Sequence, residues 1–148
     1  MKPVDLVSVD GLRLDAALHP ATSSTVGVVI QAHGVTVDKD EGGMFVRLAE
    51  SLAATGFTVV RFSFRGHGAS QGTQEGVTIA GEMLDLQAAV ELVRREHIEP
   101  VSIVAASFGA VPLTLSLAFI HDLRSIVLWN PVLDLHRTFL EPELPWAA

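Results

Sequence analysis

VSIVAASFG, residues Val101–Gly109, decides the reading of this chain. A β-branched apolar run, Val101–Val104, passes straight into Ala105-Ala106-Ser107-Phe108-Gly109. This is the G-x-S-x-G pattern of a nucleophile elbow, with alanine at its first glycine. A strand that turns abruptly into a helix holds the serine on a strained backbone at the C-terminal edge of a sheet. Strand and helix cross closely there, so the residues two before and two after the serine must be small. Gly109 meets that demand and Ala105 nearly does. The hydroxyl is then exposed, with the N–H of Phe108 beside it at the start of a helix. A serine among small residues can also serve only to let a helix pack on a strand, so the flanking sequence decides.

Working outward, the chain alternates strands and helices. Val26–Ile30 is β-branched and leads into Gln31-Ala32-His33-Gly34-Val35. Met44–Thr55 reads as a helix with Phe45, Leu48, Leu52 and Ala53 on one face and Gly56 as its stop. Phe57–Phe64 is a second buried strand, followed by a glycine-rich loop, Gly66–Gly76. Thr78–His97 is the longest helix, with Ile79, Met83, Leu86, Val90 and Val93 forming one apolar stripe. Pro100 separates it from the strand Val101–Ala105. Phe108–Ile120 is the helix leaving the elbow, with Pro112 near its first turn, where a missing N–H costs least. Ser125–Trp129 is a sixth strand ended by Asn130-Pro131, and the tail Leu133–Ala148, carrying Pro142 and Pro145, is irregular or short-helical. Upstream, Val4–Val9 and Leu12–Leu18 alternate apolar and polar residues around Asp10-Gly11, a hairpin signal for an antiparallel edge. The whole predicts a single α/β domain: a doubly wound, mostly parallel sheet of about six strands with an N-terminal hairpin.

Composition agrees with a sheet buried on both faces: of 148 residues, 49% are hydrophobic and 18% charged. No run of about 18 apolar residues predicts a membrane span. MKPVDLVSVDG has no apolar core and carries early acids, so it does not read as a signal peptide. With zero cysteines, disulfides and thiolate metal sites are excluded, which fits a cytoplasmic location. The net charge of −7 argues against a nucleic-acid partner. The basic spot of note, Arg61 and Arg65, straddles a strand.

HGV at 33–35, RFSFRGHGAS at 61–70 and AASFG at 105–109 resemble the α/β-hydrolase superfamily. HGVTVDKDEGG and NPVLDLHRTFLEPELPW are most similar to its bacterial esterase branch, with feruloyl-esterase-like and serine-aminopeptidase-like members. The resemblance covers nearly the whole chain. It implies a serine hydrolase of the acyl-ester class working through an acyl-enzyme, with no cofactor and no metal. Ser107 would be the nucleophile, the N–H groups of Val35 and Phe108 the oxyanion hole, and His33-Gly34 the loop that shapes it. The substrate would be a small-molecule ester. Some positions depart from the pattern: Ser63 stands where an aspartate is usual, Ala105-Ala106 where Gly-His is usual, and Ala110 where a second glycine is frequent.

The resemblance also implies an order of nucleophile, acid, histidine along the chain. After Ser107 the histidines are His121 and His136. His121 falls at the far end of the helix leaving the elbow, roughly 20 Å away for about thirteen residues. Asp134 and His136 lie past the sixth strand but only two residues apart, a poor span for an acid and a separate base. The expectation is therefore an incomplete α/β-hydrolase fold without the cap and C-terminal strands, weak or inactive alone. It would self-associate or take a complementing C-terminal segment at the Ser125–Trp129 edge. The competing reading is a non-catalytic module of the same fold. A dinucleotide reading of Gly66-His67-Gly68 fails at Gln71, where a third glycine is needed. His67 is read as stabilising its own loop, and Glu82 and Asp85 as a solvated or salt-bridged helix face.

Overall fold

Residues 1–96 and 99–141 are described by the computed structural model. In chain order the elements are β1 (Lys2–Pro3), β2 (Leu6–Val7), β3 (Arg13–Leu14), β4 (Ala16–His19), β5 (Gly27–Ala32), α1 (Met44–Ala54), β6 (Phe57–Phe62), α2 (Ile79–Arg95), β7 (Val101–Ala106), α3 (Ala110–Ser116), β8 (Leu123–Trp129) and α4 (Leu135–Phe139).

Six strands form one sheet in the order β1-β4-β6-β5-β7-β8. β6, β5, β7 and β8 are parallel, while β1 and β4 pair antiparallel at the other edge. All six residues of β5 are buried, as a parallel strand covered on both faces requires. α2 and α3 cover one face over Ile30, Phe62, Leu86, Val90, Ile103 and Leu113. α1 covers the other over Val29, Phe45, Ala49, Val59 and Val104. This is the expected doubly wound, mostly parallel sheet.

The N-terminal hairpin divides. β2 and β3 pair around Asp10-Gly11 as a separate two-stranded sheet, and β1 and β4 join the main one. The backbone of Asp15 explains the split: its N–H donates to Ser70 Oγ at 2.9 Å and its carbonyl accepts Ser63 N–H at 2.8 Å. Pairing therefore passes from the hairpin to β6. The helix after the elbow is shorter than expected. Residues 107–109 form a single 3₁₀ turn, α3 ends at Ser116, and Pro112 sits in its first turn. α2 begins where Thr78 Oγ1 accepts the Gly81 N–H at 3.0 Å, a side-chain N-cap. The expected helix end at His97 and the tail beyond Glu141 lie outside the described residues.

Of the two readings of Glu82 and Asp85, the salt-bridged one holds for Asp85, but the face is internal, not solvated. Both are buried, at 2% and 0% exposure. Asp85 takes the Arg65 guanidinium at 2.8 Å and the Arg65 backbone N–H at 2.9 Å. Arg65 also reaches Asp10 at 2.8 and 2.9 Å and Ser8 at 3.0 Å, so it ties α2, the loop after β6 and the N-terminal hairpin together. The Asp85 bonds raise the Arg65 pKa further above its ordinary value, against burial, and the Arg65 bond holds the Asp10 carboxyl below its own. The basic spot is thus internal: Arg61 is buried too, paired with Asp40 and donating to His19 Nε2 at 3.0 Å. Burial, with the Arg61 charge, lowers the His19 pKa.

Candidate active site

Ser107 occupies the turn between β7 and α3 with φ +49, a left-handed conformation that side-chain-bearing residues seldom adopt. The strain is what the elbow reading demands. Gly109 marks the crossing. A Cβ there would lie 2.7 Å from the carbonyl oxygen of Ala32 and closer still to that of His33. The start of α3 therefore rests on the end of β5, and only glycine allows the approach. Gly34 marks a second contact: a Cβ on it would come within 3.1 Å of Ser107 Cβ. β5 and β7 are paired neighbours, so the turns at their C-terminal ends abut, and Ser107 faces His33-Gly34-Val35.

His33 is buried and fully engaged. Its Nε2 accepts the Phe64 N–H at 2.9 Å, which fixes Nδ1 as the protonated nitrogen donating to Gly34 O at 2.6 Å. Burial pushes its pKa down to about 4, so it is neutral at ordinary pH. It stacks edge-on with Phe64 and His67, and His67 Nδ1 in turn lies 2.9 Å from Arg65 O, the loop-bracing role expected for it. The peptide after Gly34 is trans, so its C=O and N–H point in opposite directions. With the carbonyl held against His33, the Val35 N–H is aimed away from the ring. Among the described residues no acceptor takes it.

Sequence reading passed over Glu41. Its Oε2 accepts the Gly34 N–H at 2.7 Å. Glu41 lies within the HGVTVDKDEGG stretch noted for its resemblance, but neither periodicity nor spacing there points to a contact with Gly34. Beside this loop a polar cleft of about 330 Å³ is lined by Thr36, Val37, Asp38, His67 and Gln74.

Phe108 stacks its ring on Phe139 at 5.9 Å, and the Val132 N–H donates to Ser107 O at 3.0 Å, so the segment after β8 returns to the elbow. Asp134 caps α4, accepting the Arg137 N–H at 3.0 Å, and the exposed His136 has Glu141 as neighbour at 3.8 Å. The His121 backbone carbonyl takes Arg94, away from the elbow. Among the described residues nothing hydrogen-bonds the Ser107 hydroxyl.

A family model described as serine aminopeptidase, S33 matches residues 23–148. The chain belongs to that family. No curated protein matches it significantly. Among solved structures, the esterase Pf2001 of Pyrococcus furiosus superposes with a TM-score of 0.80 at 26% identity over 93% of this chain and 53% of that one. XC6422 of Xanthomonas campestris, a serine hydrolase without a lid, gives 0.70 and 27% over 86% and 59%. Est1E of Butyrivibrio proteoclasticus, solved with ferulic acid, gives 0.77 at 22% over 88% and 53%, a likeness of fold. The chain spans about half the length of these proteins.

For an S33 family member, two of the departures noted in the sequence sit in well-defined surroundings. Ser63, in place of aspartate, is fully buried and accepts the Lys39 N–H at 3.0 Å, so it ties the loop after β5 to the end of β6. Ala105 and Ala106 are buried in β7 without disturbing its pairing to β5 and β8. Gly66-His67-Gly68 opens no helix directly; α2 starts only at Ile79, which leaves the dinucleotide reading without its helix N-terminus. Among the described residues, no cluster of three or more His, Asp or Glu could hold a metal, and no helix is long and apolar enough to cross a membrane.

Proposed function

We propose that this chain carries the nucleophile and oxyanion hole of a serine carboxylesterase. The observation that carries the reading is the strained Ser107 elbow packed against Gly34. Ser107 Oγ attacks the ester carbonyl, and the N–H groups of Val35 and Phe108 receive the oxygen as it becomes an oxyanion. Collapse of the tetrahedral adduct expels the alcohol and leaves an acyl-Ser107 ester, which water hydrolyses to the carboxylic acid and the free serine. The mechanism needs no metal or cofactor.

The proton of Ser107 has to go to a base. Asp134 and His136 stay candidates by position, but one is engaged as a helix cap and the other faces Glu141. Our reading is that the base and its orienting acid come from a further polypeptide segment docking beside β8. The chain by itself then hydrolyses p-nitrophenyl acetate poorly or not at all, since losing a triad member costs orders of magnitude. Covalent capture by a fluorophosphonate, abolished in Ser107→Ala, tests the nucleophile. Robust Ser107-dependent turnover by the chain alone would refute the missing base.

The second reading is a non-catalytic module of the same fold that binds a partner. That no described residue hydrogen-bonds the Ser107 hydroxyl favours it. No fluorophosphonate capture, with or without a complementing segment, is its signature.

A further inference from the structure

Gly34 lies against Ser107, and its lack of a side chain leaves its own backbone dihedrals free to vary. Both peptide planes that meet at its Cα are nevertheless held. The carbonyl on one side takes His33 Nδ1–H at 2.6 Å, and the N–H on the other side goes to Glu41 Oε2 at 2.7 Å. Fixing both planes fixes φ and ψ of Gly34, and with them the direction of the Val35 N–H. His33 holds the plane that carries the Val35 N–H, through its carbonyl; Glu41 holds the preceding plane, against which that one would otherwise turn about the Gly34 Cα.

The backbone of Glu41 shows that this contact is maintained at a cost. Glu41, Gly42 and Gly43 are three consecutive residues with φ of +47, +61 and +87. Two of them are glycines, for which this conformation is free. The third is a glutamate, for which it is strained. Glycine would satisfy the turn at position 41 as well as its neighbours do, so the turn alone does not account for glutamate. The side chain accounts for it, because it delivers an acceptor to Gly34. Its other oxygen, Oε1, lies 3.4 Å from where a Gly34 Cβ would stand, a point itself 3.1 Å from Ser107 Cβ. The carboxylate and the serine thus flank the same glycine.

We propose that Glu41 is a positioning residue that sets the aim of the oxyanion-hole N–H through Gly34. The inference rests on the esterase reading above. It requires an acceptor at this place, not a negative charge, so glutamine serves where alanine or glycine does not.

The test is the rate at which Ser107 of the full chain is captured by a neutral fluorophosphonate, with thermal unfolding recorded for each variant. Glu41→Ala is expected to slow capture about tenfold, less than the loss of an oxyanion donor outright. Glu41→Gln should keep at least about a third of the wild-type rate, since its amide oxygen still accepts the Gly34 N–H. Glu41→Gly is the discriminating variant. It relieves the strained φ, which offsets part of the cost of the lost hydrogen bond, so its unfolding midpoint should match or exceed that of Glu41→Ala, yet its capture should be as slow. Loss of Gly34 amide protection in hydrogen exchange should accompany the slow rate. Glu41→Gly with wild-type capture overturns the proposal, as does Glu41→Gln as slow as Glu41→Ala. A wild-type chain whose capture does not depend on Ser107 overturns the esterase reading as well; Ser107-dependent capture indifferent to position 41 overturns this inference alone.

Discussion

The Nε2 of His33 accepts the backbone N–H of Phe64 at 2.9 Å, which pins the turn after β5 to the turn after β6. The same ring holds the Gly34 carbonyl, so one buried imidazole braces the loop that Ser107 faces. His33→Phe keeps a planar aromatic ring, a slightly larger one, and removes both bonds. It leaves a buried N–H and a buried C=O without partners, a loss of about 2–4 kcal/mol. Urea unfolding should show that loss, and Ser107 capture should slow because the Val35 N–H is no longer aimed. A variant as stable and as reactive as wild type would show that neither bond matters.

Gly109 is the second point at which the site cannot yield. An added methyl meets the backbone oxygens of Ala32 and His33, and neither can swing aside as a side chain would. Gly109→Ala should destabilise by about 2–4 kcal/mol, as overpacking against backbone does. Ala105→Gly, on the other side of the serine, removes only a small buried methyl and should cost far less. Comparable losses at both positions would contradict the close crossing of α3 over β5.

Much of this was legible in residue order. Strand cores and the strained turn at Ser107 are written in short apolar runs, small residues and turn chemistry, all of them local signals. The junctions were less so. The N-terminal hairpin divides because Asp15 finds Ser63 and Ser70, nearly fifty residues or more away. Glu82 and Asp85 look solvated on a helical wheel, yet the partner that buries Asp85 is Arg65, on a different element. Glu41 escaped for the same reason: its importance lies in a single backbone N–H reached through an irregular turn. Polar contacts between distant segments leave no periodic trace, whereas packing does.

Two buried groups set opposite pH dependences. Burial, reinforced by the Asp85 charge and opposed by Arg65, raises the Glu82 pKa from 4.5 to about 7. Between those values the unfolded chain has lost the proton and the folded chain keeps it. The Glu82 contribution is therefore complete below pH 4.5 and disappears as pH rises through 7. His33 runs the other way. Its pKa falls from 6.5 to about 4, so its contribution is present above 6.5 and is lost as pH drops toward 4. The two slopes offset each other in the wild type across the overlap. Glu82→Gln should remove one of them. Its stability should then climb with pH through that window, and above pH 7 it should exceed wild type by about 1–3 kcal/mol. Urea midpoints of both proteins at several pH values read this directly; parallel profiles would contradict it.

The last expectation concerns β8. It pairs with β7 on one side, and among the described residues no strand lies on the other. Both faces are open as well: Val127 and Trp129 on the α1 side are 50% and 43% exposed, and Ile126 on the opposite side is 38% exposed. An apolar groove of about 330 Å³ runs from Leu48 and Leu52 of α1 to Val127 and Trp129. For a strand of a parallel sheet this is unusual, because such strands are ordinarily covered on both faces. Among the described residues the segment after β8 does not cover it; Val132 and Phe139 go to the turn at Ser107 instead. Free N–H and C=O groups beside exposed apolar side chains recruit another chain. The chain should therefore self-associate, or bind a complementing segment supplied in trans, at tens of micromolar. Size exclusion with light scattering reads the first, and Val127→Lys should weaken it, since a charge in that groove opposes burial. A stable monomer whose Leu123–Trp129 amides resist hydrogen exchange along the outer edge would mean that the edge is already paired, and the expectation of a docking segment would fall with it.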